Sequence, residues 1–145
     1  MKQLFLATLC CMAVTLSPVH ASNHETALKA VALDYAMGWY LADADRMASA
    51  LHPELAKRAL LPNREDGTLV LSHMGKDRLV AATGAGGGSR VPEAERQADV
   101  EVLDVYGNAA VVKLTMRDWV DYLQLIREDE RWQIINVLWE LNPED

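Results

Sequence analysis

Two periods of apolar and polar positions divide this chain. From His24 to Ala42 the apolar residues Leu28, Val31, Ala32, Tyr35, Trp39 and Ala42 recur every three or four positions, with Glu25, Lys29 and Asp34 off the stripe. This predicts a helix with one buried face. Ser22 and Glu25 have capping-box spacing at its start. Asp43 is placed to cap a second, shorter helix through Ala50 or Leu51, ended by Pro53, which disfavours helical geometry at His52. Residues 57–62 and 68–72 flank Asp66-Gly67 and predict a hairpin. A third helix is expected from Lys76 to Thr83, stopped by Gly84, and the GAGGG run after it reads as a mobile loop. Beyond residue 96 the period falls to two. Strands are expected over residues 97–106, 109–117, 119–127 and 132–141, with turns at Gly107-Asn108 and over residues 128–131. Helices followed by a run of antiparallel strands indicate an α+β fold, with the helices on one face of the sheet.

The first 21 residues have a different character. Lys2 is their single positive charge, Leu4 to Leu16 is an apolar run, and Pro18, Val19 and Ala21 have the pattern of a cleavage region. We read 1–21 as a signal peptide cut after Ala21 and 22–145 as one domain, located in the periplasm or secreted, with no membrane association after cleavage. The apolar run is shorter than the roughly 20 residues of a spanning helix. Both cysteines, Cys10 and Cys11, fall in this segment, so the mature chain is expected to have no disulfide. The whole chain has 145 residues and a net charge of −7, and all but one of its 14 Lys and Arg and all 21 Asp and Glu lie after Ala21. An acidic surface with scattered basic residues argues against nucleic acid.

The phrases ALDYAMGWYLADADRMASALHPELAKR, VEVLDVYGNAAVVKL and DWVDYLQLIREDERWQIINVLWEL resemble the putative lumazine-binding family, a branch of the nuclear transport factor 2-like superfamily that includes ketosteroid isomerase. The resemblance spans nearly all of residues 22–145. It implies a cone-shaped α+β fold in which three helices close a curved antiparallel sheet around a pocket, and a homodimer formed through the sheet. It does not select a chemistry, because binding modules and cofactor-free isomerases, dehydratases and cyclases share this fold.

Strand alternation places Asp121, Leu123 and Leu125 on one face of their strand, and Trp132, Ile134, Asn136 and Leu138 on one face of the last, provided no bulge intervenes. Asp121 and Asn136 are thus expected inside the cone, with Val137 and Trp139 outside. In an apolar cone Asp121 is a candidate general base or neutral donor, with Tyr35 and His52 as candidate catalytic partners. The alternative is structural: Asp121 accepts hydrogen bonds from a neighbouring turn or from Arg117. Trp39, His73, Trp132 and Asn136 are the candidate ligand-binding residues. His24, His52 and His73 show no metal-ligand spacing, and no motif for a cofactor or phosphate is present, so neither metal nor cofactor is expected. The leading reading is an exported domain binding a small apolar or aromatic molecule. An isomerase, dehydratase or cyclase built on Asp121, and an accessory interaction module, are the alternatives.

Overall fold

The computed structural model describes the backbone of residues 19–142 and the side chains of residues 23–142, so the signal peptide expected over residues 1–21 lies outside the described residues except for the backbone of its last three positions. In chain order come α1 (Val19–Leu41), α2 (Ala44–Ala50), β1 (Leu51–Pro62), β2 (Leu69–Met74), α3 (Lys76–Gly84), a 3-10 turn at Glu93–Glu95, β3 (Ala98–Tyr106), β4 (Ala109–Met116), β5 (Trp119–Glu128) and β6 (Arg131–Leu141). Because α1 is under way before Ser22, that serine is not the helix cap that its spacing to Glu25 suggested. Asp43 does cap α2, its carboxylate accepting from the Arg46 amide at 2.9 Å. Ala42 between the two helices takes a left-handed φ of 55°, which turns the chain sharply from one to the other.

The strands form one six-stranded sheet in the order β2-β1-β6-β5-β4-β3. Neighbours are antiparallel, as expected, except that β1 runs parallel to β6. The hairpin of β1 and β2 precedes the others in sequence and is added beside the last strand, which fixes its direction. β1 begins six residues before the predicted hairpin, and Pro53 is tolerated inside it because the register against β6 shifts between Leu51 and Ala56. Further shifts lie between Val102 and Asp104 in β3 and between Gln124 and Leu125 in β5. Such irregularities bend strands and increase twist, which suits a sheet that wraps around helices.

The core fills the concave side. Leu28, Ala32 and Ala36 of α1 are buried with Val112 and Leu114 of β4 and Leu123 of β5. Among the described residues no helix is long and apolar enough to cross a membrane.

The glycine run, expected as a mobile loop, is hydrogen-bonded to the end of α3 and to α1. The amides of Gly86, Gly87 and Gly88 donate to the carbonyls of Thr83, Ala82 and Trp39 at 3.0, 3.2 and 2.9 Å. A Cβ on Gly88 would lie 2.6 Å from both Cδ1 and Nε1 of Trp39, and one on Gly87 would lie 2.6 Å from the Trp39 carbonyl oxygen. The missing side chains let the loop press against α1 and fix the Trp39 indole. Gly88→Ala should therefore lose about 1–3 kcal/mol in urea unfolding, the usual cost of overpacking. Gly84→Ala, whose Cβ would meet its nearest neighbour at an ordinary 3.4 Å, should stay within about 1 kcal/mol of wild type or exceed it, since alanine favours helix. Equal losses in the two variants would contradict the fitted loop.

Candidate functional site

Between the helices and the sheet lies a cavity of about 240 Å³. Tyr35 and Trp39 reach it from α1, Lys57 from β1, Met74 from β2, Trp119 from β5 and Trp139 from β6, with Met47, Leu79 and Ala82 completing the wall. The lining surface is almost wholly apolar, with Tyr35 and Lys57 the two titratable residues among its walls. Trp119 packs edge-on against both Trp39 and Trp139, with ring centroids 5.9 Å apart in each pair.

Directly behind the amine is Asp121, which is wholly buried. Lys57 Nζ donates to Asp121 Oδ1 at 2.6 Å and to the Tyr35 hydroxyl at 2.7 Å. Trp119 Nε1 donates to Asp121 Oδ2 at 2.9 Å, and the Tyr35 hydroxyl makes a long contact to Oδ1 at 3.5 Å. The amine also stands 4.8 Å from the centre of the Trp139 ring, a cation-π distance.

Burial dominates the proton affinities here. It raises the Asp121 carboxyl above the ordinary carboxylate range against the opposing charge and hydrogen bond of Lys57. It lowers the Lys57 ammonium against the opposing influence of Asp121. Tyr35 is raised well above a normal phenol, first by burial and then by the Asp121 charge, so its hydroxyl keeps its proton. Both members of the ion pair are thus pushed toward a neutral amine beside a neutral acid, joined by one short hydrogen bond.

Asp121 and Tyr35 do meet, and Trp39 borders the same cavity. The bond to Asp121 comes from Lys57 and Trp119, not from Arg117, which pairs with Glu95 at 3.2 Å. The other sequence candidates lie elsewhere. His52 is held by Glu128 at 3.3 Å and accepts from the Glu54 amide at 3.1 Å. His73, opposite Arg58 in the β1–β2 ladder, lines a separate groove with Pro53 and Lys76. Trp132 is buried against the edge of His24 and beneath the Arg127 guanidinium, and is not part of the cavity wall. Asn136 faces outward, donating to Gln124 Oε1 at 3.1 Å. The cause is the bulge: Gln124 pairs with Asn136 but Leu125 pairs with Ile134, so Ile135 is extra and the alternation inverts after it. Val137 and Trp139, expected outside, therefore point inward.

The residue that sequence reasoning missed is Lys57. Its signal was present: it alternates in phase with Leu55 and Ala59, both buried, which puts a lysine on an apolar strand face. A strand taken to begin at residue 57 hides that phase.

The match to a family described as "Putative lumazine-binding" covers residues 23–140. The chain belongs to this family. None of the curated proteins compared with it matches. Among solved structures it is similar to a nuclear transport factor 2-like protein of unknown function from Shewanella baltica, at 16% identity and a TM-score of 0.64, covering 85% of this chain and 97% of that one. A second such protein, from Silicibacter pomeroyi, has 16% identity and a TM-score of 0.65 over 84% and 98% of the two chains. A ketosteroid isomerase-like protein from Erwinia carotovora atroseptica has 14% identity and a TM-score of 0.54 over 82% and 96%. At these identities the likeness is one of fold, and the fold is the nuclear transport factor 2-like cone.

Removing one partner of a buried pair leaves an uncompensated charge, at about 3–5 kcal/mol, whereas replacing both with apolar residues is often neutral or favourable. Lys57→Met and Asp121→Leu should each lose about that much, and the double variant should recover most of it. Because burial raises Asp121, its contribution to stability is complete below the unfolded value of about 3.9 and is lost as pH rises through the folded value. Because burial lowers Lys57, its contribution is complete above the unfolded value of about 10.4 and is lost as pH falls through the folded value. The stability of wild type minus that of the double variant should therefore be lowest across the neutral range and rise toward acid and alkali. A maximum at neutral pH would contradict the assigned shifts.

Proposed function

We propose that this chain is an exported domain, beginning near Ser22 once processed, whose tryptophan-walled cavity binds a small planar molecule of one or two rings carrying a hydrogen-bond acceptor. The observation that carries the reading is Lys57, a buried lysine that lines an apolar cavity while its amine donates to Asp121 and Tyr35. The amine has one further N–H to offer a ligand oxygen or ring nitrogen. The volume is below the roughly 300–1,000 Å³ of pockets for drug-sized ligands, which favours a compact ring system. Lumazine, named in the family's description, has this chemistry. A role for Asp121 as a base acting directly on a ligand is less well supported, because its oxygens are engaged by Lys57 and Trp119 and it is not part of the cavity wall.

Three of the four tryptophans line the cavity, so intrinsic emission can report occupancy. Titration with lumazine and with quinolin-2-one should quench tryptophan emission for at least one of them. That probe should also stabilise the protein by about 2.7 kcal/mol at a hundredfold excess over its Kd. The Lys57→Met/Asp121→Leu variant should bind it roughly tenfold or more weakly, having lost a hydrogen bond to a charged donor. No quenching by either probe, or unchanged affinity in that variant, would count against the reading.

We further propose that a second copy of the chain covers the outer sheet face. Leu60 of β1, Leu71 of β2, Tyr122 of β5 and Leu138 of β6 are exposed there. They lie on one face, since Leu60 pairs with Leu71 and Tyr122 with Leu138 across their ladders. Exposed large apolar side chains gathered on one sheet face suit an association surface. Leu138→Glu should sediment as a monomer where wild type sediments as a dimer. Trp139, which faces the cavity, is not a test of this surface.

A further inference from the structure

The amine of Lys57 is placed for more than hydrogen bonding. We propose that it captures an aldehyde or ketone in the cavity as an imine, making this a covalent carbonyl-binding site; the inference rests on the reading of the cavity as a ligand site. Four features converge. Lys57 lines the cavity, which brings a carbonyl carbon held there beside its side chain. Its surroundings are the Tyr35, Trp119 and Trp139 rings, an apolar setting that favours the uncharged, nucleophilic amine. Asp121 Oδ1 lies 2.6 Å from Nζ and can take the ammonium proton without solvent. The Tyr35 hydroxyl lies 2.7 Å from the same nitrogen, and its own contact to Asp121 is long at 3.5 Å, so its proton is available to a ligand oxygen beside Nζ.

The chemistry balances on these groups. Asp121 accepts the proton of the Lys57 ammonium. The nitrogen lone pair forms a bond to the carbonyl carbon as the C=O π pair moves to oxygen, where Tyr35 donates a hydrogen bond. A second N–H proton passes to that oxygen through Tyr35, giving a neutral carbinolamine. Asp121, protonated in the first step, passes its proton to the Tyr35 oxygen, 3.5 Å away, as Tyr35 gives its own to the carbinolamine hydroxyl; the C–O bond breaks, and water leaves. The nitrogen lone pair closes the C=N bond, yielding a protonated imine opposite the Asp121 carboxylate. Aldehyde and amine become imine and water with no oxidant or reductant. The product keeps one positive charge beside Asp121, so the buried pair survives the reaction.

Benzaldehyde and benzyl alcohol are matched probes, alike in size but only one able to condense. The folded wild-type protein is incubated at neutral pH with benzaldehyde and cyanoborohydride, and the benzylated lysines are located by peptide mass mapping; benzyl alcohol binding is followed by tryptophan quenching. We expect one benzyl group on Lys57, formed roughly tenfold or more faster than on Lys29 and Lys113, as a larger fraction of free amine requires. Excess benzyl alcohol should slow this labelling alone. If benzyl alcohol quenches the tryptophans but Lys57 labels no faster than Lys29 and Lys113, the imine inference is overturned and the binding reading stands. If benzyl alcohol does not quench and Lys57 is not labelled, both fail. The Lys57→Met/Asp121→Leu variant should lose the fast-labelling site while Lys29 and Lys113 label as before. Because the primary readout is which lysine of the wild-type chain is modified, it does not depend on any variant folding.

Discussion

Lys57 and Asp121 approach to 2.6 Å inside a shell of aromatic and aliphatic side chains, and much of the surrounding structure is arranged around that contact. An ion moved from water to a protein interior costs several kcal/mol even after relaxation, so a buried pair persists only where the geometry is close and the remaining polar atoms have partners. Here the Trp119 indole holds the second carboxylate oxygen, and the Tyr35 hydroxyl accepts from the amine. Four elements contribute: α1, β1, β5 and, through the Trp139 ring over the amine, β6. The pair therefore ties the first helix to the middle of the sheet. Met and Leu at these two positions would serve packing as well, so the polar pair makes more sense as a retained chemical feature than as a source of stability.

That feature is usable because the cavity stays open beside it. Gly87 and Gly88 bring the loop after α3 against Trp39, and the Gly88 amide bonds to the Trp39 carbonyl. One wall is thereby fixed from outside. The opposite wall depends on the bulge at Ile135, which rotates Trp139 inward over Lys57. Without the bulge Trp139 would face outward and Asn136 and Leu138 would enter the cone, exchanging an aromatic platform for an amide and an aliphatic side chain.

The fold was legible in the sequence because its signals are distributed. The change from a period of three or four to a period of two marks where the helices end, and the turns at Asp66-Gly67 and Gly107-Asn108 bracket strands whose turn-side ends the structure places within a residue or so of expectation. Asp121 was likewise legible, since it alternates with Leu123 and Leu125. The errors sit where periodicity is broken locally. A single unpaired residue in β6 reversed Asn136 and Trp139, and nothing in its type marks Ile135 as a bulge. The parallel pairing of β1 with β6 is a long-range choice that neither strand states. The glycine run has the composition of a linker, and only the contact with Trp39 shows why side chains are absent. Lys57 is a different case, since its phase with Leu55 and Ala59 was readable and required only that β1 be started earlier.

Members of one fold that share about a sixth of their residues need not share a chemistry, and here the decisive group is a cation and not a second carboxylate. An apolar cone containing carboxyl groups and a tyrosine can move protons on a bound carbon acid, as ketosteroid isomerase does. Adding a lysine between Tyr35 and Asp121 changes what that arrangement can do. The carboxylate is drawn back behind the amine, where its oxygens are occupied, and the group presented to the cavity becomes a nitrogen whose proton has somewhere to go. Desolvation, which would raise an isolated carboxyl and make it a better base, here also makes the amine a better nucleophile, because both shifts move the pair toward its uncharged form. The same burial that makes the pair costly to the fold moves both groups toward their uncharged forms, so stability and the proposed chemistry at this site depend on one quantity, the burial of Lys57 and Asp121.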